Sequence, residues 1–181
     1  MNVFILNTGR CGSTTFVEAC RHIGNFSVGH ESRVQLLGAA RLAYPPHHIE
    51  ADNRLSWLLG RLDAAYGDTA YYVHLTRDRT KVAASFVRRA DFGIMKAYRE
   101  GILLHDDDRR ATNEAIADDY IATVEANIAH FLKDKRHKMD FRLENAKDDF
   151  RHFWHWIGAE GDLELALLEW DRRHNASADQ G

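Results

Sequence analysis

Close to the amino end, Thr8-Gly9-Arg10-Cys11-Gly12-Ser13-Thr14-Thr15 follows an apolar run from Val3 to Leu6. Glycines between a strand and a helix let several backbone N–H groups point at one spot, and the helix dipole adds positive potential there. Ser13, Thr14 and Thr15 add hydroxyl donors, and Arg10 adds a permanent cation with a planar fork. Such a loop suits a tetrahedral oxyanion, phosphate or sulfate. The simpler reading is a glycine turn with Ser13 as helix cap, but strand, glycines, cation and hydroxyls in that order favour the anion site. The nucleotide loop G-x-x-x-x-G-K-[ST] does not match, because the second glycine comes too early and no Lys follows it. A Cys-based phosphatase needs an Arg six positions after its Cys, and position 17 is Val. Cys11, at a helix start, is a candidate reactive thiol with no partner identifiable from sequence.

A second cation lies at Arg77, after the apolar strand pattern AYYVHL of Ala70 to Leu75. Ser85 follows eight residues later, about two turns into a helical segment. An Arg at a strand tip and a Ser on the next helix can hold one anion between them. Taken alone, an Arg77–Asp78 salt bridge with an exposed Ser85 is the plainer reading.

Elements of alternating kind must position these groups. Val3 to Leu6 reads as a strand buried on both faces, and Thr14 to Ile23 as a helix stopped by Gly24-Asn25. Phe26 to Val28 reads as a short strand ending at Gly29-His30-Glu31, and Val34 to Leu42 as a helix ended by Pro45-Pro46. His47 to Ile49 is a weak strand. Asn53 to Tyr66 reads as one amphipathic helix, with Leu55, Leu58, Leu59 and Leu62 along a face. Thr80 to Arg89 is helical, and Ala90 to Lys135 reads as helices broken by the charged run His105 to Arg110. A last strand, Met139 to Leu143, precedes helices at Asp148 to Ile157 and Leu163 to Trp170. Strands alternating with helices predict a three-layer α/β fold, a mostly parallel central sheet flanked by helices. Ligands of such sheets sit at the strands' carboxyl ends, so the segments after Leu6, Val28, Ile49 and Leu75 are expected to converge on one crevice. Residues 1–174 read as a single domain and 175–181 as a flexible tail.

With 181 residues, 45% hydrophobic and 28% charged, the chain can bury a sizeable core. A net charge of −3 offers no general attraction for nucleic acid, so any basic site must be local. No segment is long and apolar enough to span a membrane, and no export signal precedes the first strand, which makes the cytoplasm the default location. Cys11 and Cys20 fall on opposite helix faces and are expected to stay free thiols. Eleven histidines raise the question of a metal. His152 and His155, however, sit among aromatic core residues, and no zinc-ligand spacing appears.

Together the two anion sites resemble the sulfotransferases that use 3′-phosphoadenosine 5′-phosphosulfate (PAPS). Arg10-Cys11-Gly12-Ser13-Thr14-Thr15 is similar to that superfamily's loop for the 5′-phosphosulfate, and Arg77-Asp78 with Ser85 to its 3′-phosphate site. Arg79 stands where the family usually has Pro. The motifs cover residues 2–31 and 70–89, and the chain is short for the family, which implies trimmed acceptor insertions. The resemblance implies a P-loop-like nucleotide-binding core, PAPS as cofactor, adenosine 3′,5′-bisphosphate as product and no metal. It implies sulfuryl transfer to a hydroxyl or amine of a small molecule or glycan, with Arg10 among the catalytic groups. A catalytic Glu in glycan-type and some bacterial relatives falls at Glu31, and His30 beside it replaces a common Lys. Either could be the general base. Glu31 could equally be a favourable residue in a first helical turn. Arg33 either holds an anionic acceptor or pairs with Glu31. Relatives place substrate contacts near His48 and Arg54, where helix capping by Asp52 or Asn53 is an equal alternative. Arg172-Arg173-His174 could imitate the family's basic cofactor loop. Two other readings stay open: a P-loop-type kinase or hydrolase with a variant loop, and a non-catalytic phospho-nucleotide binding module. A homodimer and the acceptor are likewise open.

Overall fold

The structure is a computed structural model and describes residues 1–105, 111–172 and 174. Its centre is a five-stranded sheet: β1 (Asn2–Leu6), β2 (Ser27–His30), β3 (His48–Ala51), β4 (Tyr71–Thr76) and β5 (Lys138–Arg142). The strand order is β2-β3-β1-β4-β5, and every ladder is parallel. β1 is central and wholly buried, which explains its uninterrupted apolar run.

Helices cover both faces of the sheet. Tyr72 and Leu75 lie an odd number of residues apart on β4, so they face opposite sides. On the Tyr72 side, Tyr72 meets Phe131 of α5 (Asn113–Leu132) at 5.1 Å between ring centroids. Phe4 meets Tyr66 of α2 (Leu59–Tyr66) at 4.8 Å. α3 (Arg79–Val87) joins this layer through Phe86, 5.0 Å from Tyr120. On the other side, Phe141, the register partner of Leu75, meets Phe16 of α1 (Ser13–Cys20) at 5.0 Å. Phe16 lies equally close to Phe153 of α6 (Ala146–Trp156), and Trp170 closes the cluster beyond α7 (Leu163–Leu168). Edge-to-face pairs of this kind add about 0.5–1.5 kcal/mol each beyond the area they bury. A short α4 (Gly93–Ala97), continued by one π turn to Ile102, completes the described α-helices, and short 3₁₀ segments join several of the elements.

Two helix expectations are corrected. Val34 to Leu42 holds only a 3₁₀ segment at Gly38–Leu42, because Gly38 turns left-handed (φ 56°) and breaks the periodic stretch. The helix expected over Asn53 to Tyr66 is split into a 3₁₀ turn, Asn53–Trp57, and α2. Asp52 Oδ1 accepts Arg54 N–H at 2.8 Å and tightens the first turn, and Leu58 leaves helical geometry (φ −120°, ψ 18°). Leu55 and Leu62 of the predicted stripe still reach the core. The charged run at 106–110 and the tail at 175–181 lie outside the described residues. Cys11 and Cys20 are free and buried. Among the described residues, no helix is long and apolar enough to cross a membrane.

Candidate active site

The chain leaves β1 in mid-sheet, between β3 and β4, and turns at once into α1. The turn is held from outside. Ser56 Oγ donates to Asn7 O at 3.1 Å, Tyr120 OH donates to Thr8 O at 2.9 Å, and Asn7 Oδ1 accepts Gly9 N–H at 2.8 Å. Gly9, Arg10 and Gly12 all adopt left-handed backbone, with φ of 89°, 62° and 90°. At Gly12 a Cβ would sit 2.8 Å from the tip of the Leu143 side chain, which can move, so it is the left-handed backbone that favours glycine there. Gly12, and not Ser13, occupies the N-cap, with no side-chain cap. The first bond of α1 runs from Phe16 N–H to Gly12 O (3.0 Å). The N–H groups of Ser13, Thr14 and Thr15 therefore precede the helical ladder and are the donors a helix start offers an anion.

The two predicted anion sites meet. Arg10 Nε donates to Ser85 Oγ at 2.9 Å, and Arg77 Nη1 donates to Arg10 O at 3.2 Å. Asp78 does not form the simple salt bridge with Arg77: its carboxylate caps α3 at Lys81 N–H (2.9 Å). Arg79, where the resembled family favours Pro, reaches across to Asp118 and Glu125 of α5. Burial first, then the like charges of Arg89, Arg77 and Arg88, hold the Arg10 guanidinium below its usual pKa. It stays a cation at neutral pH, in a field that calls for an anion. Arg88 and Arg89 escaped the sequence reading. They stand just past the end of α3, three and four residues after Ser85, and that spacing was the available signal.

At the end of β2, His30 Nε2 lies 3.1 Å from Ser13 Oγ, so His30 adjoins the loop, and Glu31 is the next residue in the chain. Glu31 pairs with Arg54, not with Arg33, at 2.6 Å from Nη1 to Oε2. Arg33 donates to Ala40 O and stands over the Tyr44 ring. Beneath Arg54, the buried Asp52 is paired with the buried Arg41. Burial is the main cause that raises the Asp52 pKa, with Glu31 adding to it.

Three candidates are placed elsewhere. His48 begins β3, level with Asn2 and Ser27, at the end of the sheet away from the loop, and is bound to Glu50. The strand expected at His47 to Ile49 placed His48 one residue from its exit, but β3 runs on to Ala51 and leaves His48 at its entry. Arg172 and His174 both bind Glu169, beside His22 beyond the far end of α1, so they form no cofactor loop. Arg173 lies outside the described residues. Cys11 is turned inward against Thr8 and Gly9, and burial pushes its pKa up to about 11. The thiol is therefore neutral throughout the physiological range and gains reactivity only as pH rises toward that value. Iodoacetamide applied to the folded protein at pH 7.5 is expected to leave Cys11 unmodified by mass spectrometry. Alkylation within minutes at that pH would show a thiolate and overturn this placement. Among the described residues, no group of three or more His, Cys, Asp or Glu is arranged to hold a metal ion.

A parallel sheet that gathers a left-handed glycine loop, a helix start and an arginine cluster at its carboxyl edge defines an α/β fold with positive charge concentrated at that edge. Its fold is that of sulfotransferases. The chain superposes on the sulfotransferase domain from the curacin biosynthetic pathway with a TM-score of 0.63 at 15% identity, over 95% of this chain and 78% of that one. It superposes on mouse sulfotransferase SULT7A1 complexed with PAP with a TM-score of 0.57 at 14% identity, over 93% of this chain and 63% of that one. No family model and no curated protein matches the sequence.

Proposed function

We propose that residues 1–174 form a PAPS-dependent sulfotransferase domain acting on a hydroxyl, or an amine, of a small-molecule or glycan acceptor. The observation that carries this reading is the junction of the two anion sites at Arg10, which is bonded to Ser85 and to Arg77 at once. A nucleotide with anionic groups at both its 5′ and 3′ positions is the ligand that needs two such sites on one edge. The solved relative in complex with PAP, the bisphosphate product, has the same fold.

The residues present fit that ligand. Arg10, the Cys11 and Gly12 backbone, and Ser13, Thr14 and Thr15 would hold the 5′-phosphosulfate, while Arg77 and Ser85 would hold the 3′-phosphate, with Arg88 and Arg89 adding charge. When bound, the cofactor would supply an electrophilic sulfuryl group for the acceptor oxygen, with adenosine 3′,5′-bisphosphate as the leaving group that takes the electron pair of the sulfur–oxygen bond. The protein's own work is geometric and electrostatic. Loop N–H groups and Arg10 stabilise charge growing on the leaving phosphate. Glu31 takes the acceptor proton, and Arg54 holds one of its carboxylate oxygens. His30, against Ser13, is the second proton acceptor within the same turn.

Thermal unfolding separates this reading from a P-loop kinase or hydrolase. Adenosine 3′,5′-bisphosphate at one hundred times its Kd is expected to add about 2.7 kcal/mol, or roughly 5–10 °C in Tm for a chain of this size. Stabilisation by ATP with magnesium and none by the bisphosphate would overturn the proposal.

A further inference from the structure

Glu50 lies in β3 with none of its surface exposed. A buried carboxylate is costly unless several donors face it, and here three do. Its Oε1 accepts the Ser32 N–H at 2.7 Å, and its Oε2 accepts the Ser32 Oγ–H at 2.6 Å. His48 Nε2 lies 2.9 Å from the same Oε2, and Ser27 Oγ lies 2.8 Å from His48 Nδ1. Among the described residues, the side-chain hydrogen bonds of these four run to one another and to the His47 carbonyl, and none runs to the loop. The chain of bonds they form ends one residue beyond Glu31.

Glu31 is held in left-handed backbone, φ 51°, which a non-glycine residue keeps only where its surroundings force it. Two bonds bracket it: Glu31 N–H donates to Ala51 O at 3.0 Å, and Ser32 N–H donates to Glu50. Both acceptors belong to β3, so one strand clamps the strained residue from either side. Gly29 completes the arrangement, since a Cβ there would collide with Glu50 Oε2 and lie 2.9 Å from Ser32 Oγ.

We infer that Glu50 is the positioning residue of this turn: by gripping Ser32 through its N–H and its hydroxyl, it keeps Glu31 left-handed and sets where Glu31 and His30 meet the anion loop. His48 acts one step further out, by fixing the Glu50 carboxylate. The inference rests on the reading of Glu31 as the base. A glutamine at position 50 would present an NH₂ in place of one accepting oxygen and lose at least one of the three bonds.

The test compares Glu50→Gln, Gly29→Ala and the milder Ser32→Ala with the parent protein. Three properties are read: the backbone angle of residue 31 in a crystal structure, kcat and KM for an acceptor that the parent sulfates, and affinity for adenosine 3′,5′-bisphosphate. In Glu50→Gln and Gly29→Ala, residue 31 is expected to leave the left-handed region. Their kcat should fall about 10- to 100-fold, the scale of a misplaced catalytic group, while KM for the acceptor and bisphosphate affinity stay within about threefold. Ser32→Ala keeps the buried carboxylate and should lose about three- to tenfold in kcat, so a folded variant is available even if Glu50→Gln does not fold. A Glu50→Gln protein with residue 31 still left-handed and kcat intact overturns the inference. A parent that fails to bind the bisphosphate removes the functional reading instead, and the angle of residue 31 still decides the positioning role.

Discussion

Arg77→Ala is expected to weaken adenosine 3′,5′-bisphosphate binding by about 2–4 kcal/mol, roughly 30- to 1,000-fold, as measured by titration calorimetry. Arg77 stands at the end of β4 and already donates to the backbone of Arg10, so its guanidinium borders the anion loop. Removing it leaves a 3′-phosphate without its forked partner in a site already partly withdrawn from water. The change could also act by freeing the loop, which Arg77 helps to hold. Arg77→Lys separates the two effects. It keeps the charge and loses the fork, and should recover part of the affinity if the phosphate is the target. Raising the salt concentration should weaken the parent's binding more than the alanine variant's, since fewer charges remain to be screened. An alanine variant that binds as tightly as the parent removes Arg77 from the 3′-phosphate site.

The second large effect belongs to chemistry. Glu31→Gln should lower kcat for sulfuryl transfer by about 10²- to 10⁴-fold, the range a positioned general base supplies, with bisphosphate affinity unchanged. The amide matches the carboxylate in shape and cannot take a proton. Arg54 loses a charged partner in the same change, but that pair is half open to solvent, so its loss costs little stability. Radiolabelled transfer to an acceptor panel, with parent and variant side by side, reads the result. Equal rates would pass the proton to His30, which the same panel tests through His30→Ala.

Much of this crevice was legible one segment at a time. The glycine loop after β1 could be read because its pattern is local: strand, glycines, cation and hydroxyls lie within fourteen residues, Asn2 to Thr15. Arg77 and Ser85 were legible for the same reason, as a strand tip and the helix that follows it. The helix over Asn53 to Tyr66 misled because its leucine spacing survives on both sides of a break, and Leu58 gives no sign of leaving helical geometry. His48 misled because the weak apolar pattern set the strand's end at Ile49, while the strand continues to Ala51 and carries the ligand edge away from His48. Glu50 passed unnoticed because it falls just past the strand expected at His47 to Ile49, where a lone Glu reads as a solvent-facing residue, although here it lies in β3, buried against Ser32 and His48.

From the sequence alone came the alternation that makes a parallel α/β sheet, the glycine loop after its first strand and the two cationic sites, since each depends on neighbours a few bonds away. The tertiary structure decided which of them act together. The order β2-β3-β1-β4-β5 sets β3 beside both β1 and β2. Arg54 thereby reaches Glu31 and Glu50 reaches Ser32, and across β1 the end of β4 brings Arg77 and Ser85 to Arg10. Those partners lie between 18 and 75 residues apart in the chain. Hydrophobic period and turn chemistry act over a few residues, so only the pairing of strands could select them.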